Sequence, residues 1–177
     1  AALIPVFSYD KIQAAIAAKD FAGDYDGIPV IKYESALYGE VKKPGLGPLH
    51  TEFDGKGNAY TSFFVSSEVV KWNIKDLKVV DRAPTYYSVG HLCIPGGDTK
   101  TPNAKYLIAY NKITKDRYLP TGPELSQSAQ LYDISGDKMQ LILDFPTIGE
   151  PHYAQACAAD ILKSKSLKIF KIDDNQN

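Results

Sequence analysis

Three histidines, His50, His91 and His152, are the only histidines in this chain of 177 residues, and they stand 41 and 61 residues apart. Imidazole nitrogen is a good ligand for copper, zinc, iron and nickel, and it loses little by being neutral at pH 7. Each histidine follows a turn-forming residue: Gly47-Pro48-Leu49-His50, Val89-Gly90-His91 and Glu150-Pro151-His152. The local spacing matches neither a zinc finger nor an H-E-x-x-H helix. On the residues alone, a metal site and a set of surface or hydrogen-bonded core histidines both stand open. Cys93 and Cys157 are the only thiols, too few for a disulfide framework. Their apolar neighbours, Leu92 and Ile94, Ala156 and Ala158, read as the setting of buried free thiols.

The elements that must position the histidines are mostly short strands. One helix is expected at the start, where Ser8 is a natural N-cap for an Ala-rich run ending near Ala18. Beyond residue 27 the text turns to strand candidates at residues 28–33, 59–65, 69–72, 78–81, 106–111, 129–133, 140–144 and 154–158. Asp54-Gly55-Lys56-Gly57-Asn58 and Ser135-Gly136-Asp137 lie between apolar runs and read as hairpin connections. Sandwich, barrel and propeller all fit such a pattern. Each histidine sits just before or within an extended stretch, at separations close to a propeller's blade length, and equivalent positions of successive blades meet at the central channel. Phase thus favours a propeller.

Longer words are more specific. The run from Gly45-Leu46-Gly47-Pro48-Leu49-His50 through Thr51-Glu52-Phe53-Asp54-Gly55-Lys56-Gly57-Asn58, continued by Val69-Val70-Lys71-Trp72-Asn73, resembles a signature of nitrous oxide reductases. Val89-Gly90-His91-Leu92, Lys115-Asp116-Arg117-Tyr118-Leu119-Pro120, Leu131-Tyr132-Asp133-Ile134-Ser135-Gly136-Asp137-Lys138-Met139 and Pro146-Thr147-Ile148-Gly149-Glu150-Pro151-His152 resemble later segments of the same family, in the same order.

The resemblance implies an all-β fold: about three blades of a seven-bladed propeller, with one short helix near the N-terminus. Residues 1–177 would form one partial, cluster-binding propeller domain, without the family's cupredoxin domain. In that family a four-copper sulfide centre is held by seven histidines, and the resemblance makes His50, His91 and His152 the last three. It places Lys112 and Glu150 beside the open edge of the centre as catalytic groups. Four ligands and the dinuclear copper A centre are missing from this chain, so the activity, reduction of nitrous oxide to dinitrogen and water, would belong to the intact enzyme. The fragment alone should be inactive. Calcium belongs to the intact enzyme as well and maps to no residue here. By the same resemblance the enzyme is a periplasmic homodimer that takes electrons from a cytochrome c or a cupredoxin.

Composition narrows the partners further. A formal charge of −1 gives no reason to expect nucleic acid or an anionic membrane surface. No apolar run approaches the roughly 20 residues of a membrane-spanning helix. Two rival readings remain. A four-histidine iron propeller, as in carotenoid-cleaving dioxygenases, also sets one histidine per blade but lacks the quoted words. A propeller fragment serving as a non-catalytic binding scaffold would carry no metal.

Overall fold

A computed structural model describes residues 2–112, 127–147 and 149–157. Its strands are β1 (Leu3–Phe7), β2 (Phe21–Tyr25), β3 (Ile28–Ile31), β4 (Leu37–Lys42), β5 (Pro48–Phe53), β6 (Asn58–Phe63), β7 (Glu68–Asn73), β8 (Val79–Pro84), β9 (Val89–Cys93), β10 (Tyr106–Asn111), β11 (Ser128–Asp133) and β12 (Gln140–Pro146). Helices α1 (Tyr9–Ala17) and α2 (Tyr33–Ala36) accompany them. The word Lys115 to Pro120 and Ile148 lie outside the described residues.

The strands β5-β6-β7-β8 and β9-β10-β11-β12 form two four-stranded antiparallel meanders, each strand paired with the next in sequence. Short connections join the strands of the first meander, and that of β5 to β6 is the turn read from the sequence. There the Asp54 carboxylate accepts hydrogen bonds from the backbone N–H of Lys56 at 2.7 Å and of Asn58 at 3.0 Å. This local closure holds the turn in place of ladder bonds. The connection at Ser135-Gly136-Asp137 likewise joins β11 to β12.

Three β layers stack in sequence order. Tyr60, Val69 and Ala83 of the first meander pack against Val89, Leu92, Leu107, Ala109 and Tyr132 of the second, forming the main core. On the opposite face of the first meander, Ala59 and Trp72 meet Val41 of β4 and Ile4 and Val6 of β1, which pair as a separate two-stranded sheet. Because both faces of β6 are covered, its residues from Ala59 to Phe63 are all buried. Polar ties cross between the meanders: Tyr132 Oη donates to the Pro84 carbonyl at 2.9 Å, and Met139 N–H to Asp81 at 2.7 Å. The all-β propeller portion expected from the sequence is therefore the observed architecture.

Local details differ from expectation. Helix α1 begins as read, with Ser8 Oγ accepting from Lys11 N–H. It ends when Lys19 turns to φ 53°, before any glycine is reached. α2 was not anticipated, nor were β1, β2 and β4; β5 and β9 were anticipated only as extended stretches near His50 and His91. Residues 154–157 are irregular rather than a strand: Ala154 packs as a cover over Cys93, Tyr110 and Ala129 instead of joining a ladder. Cys157 is exposed, correcting the expectation that both thiols are buried; Cys93 is buried. Among the described residues no helix is long and apolar enough to cross a membrane.

Candidate metal centre

His50 and His91 sit on β5 and β9, the first strands of the two meanders. β5 alternates, with His50 and Glu52 in its less exposed phase and Leu49, Thr51 and Phe53 outward, as the two-residue period of a strand requires. His50 N–H donates to the buried Ser62 hydroxyl at 3.2 Å, which anchors its backbone to β6. His152 arrives from outside the sheets, on the segment that follows β12. The meander-on-meander packing brings all three rings together. The His50 and His91 ring centroids lie 3.6 Å apart in a stacked arrangement, and those of His91 and His152 lie 4.6 Å apart, tilted by 54°.

Burial and neighbouring groups favour the neutral form of His50 and His91. Burial, followed by neighbouring His50, Lys112 and His152, presses the His91 imidazole down to about 4. Burial again, then Lys112 and His152, lowers His50. Uncharged imidazoles are the form that ligates metals. His91 Nδ1 is also buried without a hydrogen-bond partner, a situation that costs about 1–3 kcal/mol unless something fills it.

Lys112 follows β10 and is buried, and its Nζ lies 3.1 Å from His152 Nδ1. An ammonium can only donate, so that ring nitrogen accepts. A metal ion taking Nδ1 would displace the lysine from it. Glu150 is exposed, two residues ahead of His152. The three predicted ligands and Lys112 thus converge, and Glu150 is exposed on the segment that carries His152. Among the described residues, no three His, Cys, Asp or Glu side chains surround one point as ligands of a single ion do. His50 and His91 stack, and His152 lies tilted beside His91.

Glu52, Asp98 and Tyr153 were not singled out by sequence reasoning. A cavity of about 270 Å³ is lined by Glu52, Cys93, Asp98, Thr99, Tyr153 and Gln155. Two of these follow a ring by two strand positions, Glu52 after His50 and Cys93 after His91, and Tyr153 follows His152 directly. The two-residue strand period was the available signal for Glu52 and Cys93. Burial first, and Asp98 second, push the Glu52 carboxyl up to about 7. Asp98 arrives on a loop that no spacing argument connects to β5.

Comparison with known proteins then identifies the framework. The family model described as nitrous oxide reductase propeller repeat matches residues 82–152, a span that contains His91, Lys112 and His152. A nitrous-oxide reductase from Ralstonia nicotianae is 42% identical over 161 residues, covering 85% of this chain and 24% of that protein. The chain belongs to the nitrous oxide reductase propeller family. Nitrous-oxide reductases from Stutzerimonas stutzeri and Cupriavidus necator are also each 42% identical, over 70% and 81% of this chain and 21% and 24% of their own lengths. The chain accordingly spans about a quarter of the length of the curated relatives it matches. The residues matched by the family model contain the whole second meander, β9 to β12.

Proposed function

We propose that His50, His91 and His152 are three ligands of a four-copper sulfide centre, completed by the rest of a longer nitrous oxide reductase. The observation that carries this reading is the convergence of every histidine in the chain, from three distant positions, into one cluster of neighbouring rings. The donor set fits the group. Imidazole suits copper, burial keeps His50 and His91 uncharged, and the partnerless His91 Nδ1 has a vacant bonding position.

When bound, such a centre supplies electrons and Lewis acidity to an inert oxidant, nitrous oxide, which takes up two electrons and two protons to give dinitrogen and water. The residues of this chain hold and shape the pocket. Lys112, already at the edge of the histidines, stabilises negative charge on the departing oxygen and helps deliver a proton. Glu150, exposed on the segment that carries His152, orients that lysine or relays protons. Residues 1–177 act as one partial propeller domain, and the activity belongs to the complete protein. The dinuclear copper centre, calcium, the homodimer, the periplasmic setting and the cytochrome c or cupredoxin donor are parts of that complete protein.

The test is His91→Ala in the full-length protein, with copper and acid-labile sulfide measured per chain alongside nitrous oxide reduction. Loss of copper and of activity is expected. Unchanged copper content and turnover in the variant would refute the ligand assignment; in the unsubstituted protein, iron in place of copper would point to the dioxygenase class, and absence of metal to a scaffold.

A further inference from the structure

Gly90, one residue before His91 on β9, lies under the side chain of Lys112. A Cβ built on Gly90 would fall 2.2 Å from Lys112 Cε, 2.6 Å from Cδ and 3.1 Å from Cγ. These three stem carbons therefore run across the bare Cα of Gly90, at a distance no other residue type permits. The glycine is needed for this close approach, because its backbone is not in the left-handed region.

The rest of Lys112 is fixed independently. Its N–H donates to the Ser88 carbonyl at 3.2 Å, and its own carbonyl accepts from Gln127 Nε2 at 3.2 Å. Ser88 is in turn held by its N–H donating to Ser67 Oγ of the first meander at 3.0 Å. With the backbone tied on both sides, only the stem can respond to crowding at Gly90. The stem ends in the ammonium that touches His152, and the residue as a whole is 8% exposed.

We propose that Gly90 is a positioning residue, whose missing side chain is the floor that lays the Lys112 stem flat and delivers its ammonium to the histidine cluster. The catalytic consequence rests on the function proposed above; the steric claim does not. The atoms that a new Cβ would meet are the far end of a flexible side chain. Gly90→Ala should therefore expel Lys112 toward solvent while β9 keeps its ladder with β10.

The experiment uses the full-length protein expressed without copper, so that the first readout is independent of any centre. Lysine acylation by a succinimidyl ester, quantified by peptide mass spectrometry, reports how accessible the Lys112 amine is. Gly90→Ala should raise labelling at Lys112 several-fold, leave the other lysines unchanged and shift the melting temperature little. In a Lys112→Ala background, the same glycine substitution should leave the melting temperature where Lys112→Ala alone sets it. Unchanged Lys112 labelling, or an equal loss of melting temperature from Gly90→Ala in both backgrounds, would overturn the proposal. In the copper-loaded protein, Gly90→Ala should lower kcat for nitrous oxide reduction about 100-fold with KM little changed, as expected when a charge-stabilising group leaves a transition state. If labelling rises but turnover stays intact, Gly90 still positions Lys112 and it is the catalytic role of Lys112 that fails.

Discussion

Gln130 offers a direct measure of how the propeller core supports the candidate centre. Its side chain is 1% exposed, and its amide oxygen accepts from Tyr86 N–H at 3.1 Å and from Asn111 Nδ2 at 3.0 Å, with a longer 3.5 Å approach from Tyr132 Oη. Replacing it by Met keeps the length and removes the acceptor. Tyr132 Oη retains Pro84 O at 2.9 Å, and Asn111 Nδ2 retains Ser128 Oγ for one of its two hydrogens. Two donors are then left unmatched: Tyr86 N–H and one Asn111 hydrogen. A fully buried unmatched donor costs about 1–3 kcal/mol, and Tyr86 is only half-buried, so its share falls at the low end and the total at about 2–4 kcal/mol. Urea unfolding of the full-length protein, followed by fluorescence, measures the loss, and Gln130→Glu serves as the control that keeps an acceptor. A Gln130→Met protein within about 0.5 kcal/mol of wild type would refute the assignment, since it would mean that those donors find water. Asn111 directly precedes Lys112, so the same variant should also raise Lys112 labelling.

Other consequences follow from single contacts. Leu107→Ala, at a fully buried position of the main core, should cost about 3 kcal/mol by chemical denaturation. The Asp20 carboxyl is held below the usual aspartate range by its hydrogen bonds from Lys32 and then Ser35. A depressed folded pKa contributes stability above the unfolded value of about 3.9 and loses it as the pH falls through the folded value. The stability difference between wild type and Asp20→Asn should therefore shrink toward zero in acid, as thermal melts across a pH series would reveal; a difference that grew with acidity would reverse the sign of the argument.

Elements announced by turns or caps were legible in the sequence. Ser8 and the Ala-rich run placed α1, and the glycine–aspartate turns placed the hairpins β5–β6 and β11–β12. β1 and β5 carry Pro5 and Pro48, which weaken a strand reading, yet proline is tolerated at an edge or at a strand's first residue. β2 passes through Gly23, which reads as a break. The small-residue alternation around Ala154 imitates a strand, but Ala154 packs against Cys93, Tyr110 and Ala129 instead.

The proposed ligands were legible by residue type, because three imidazoles and their flanking words are visible before any folding. Their phase was visible too, since one histidine enters at the start of each meander. What only the tertiary structure decided is how the rings meet. Packing of one meander on the other brings His50 and His91 into a stack at 3.6 Å, and the segment after β12 returns His152 to its edge. The close passage of Lys112 over Gly90 belongs to the same class. It joins residues 22 positions apart through the β9–β10 ladder, and a missing side chain leaves no periodic signal in the chain itself.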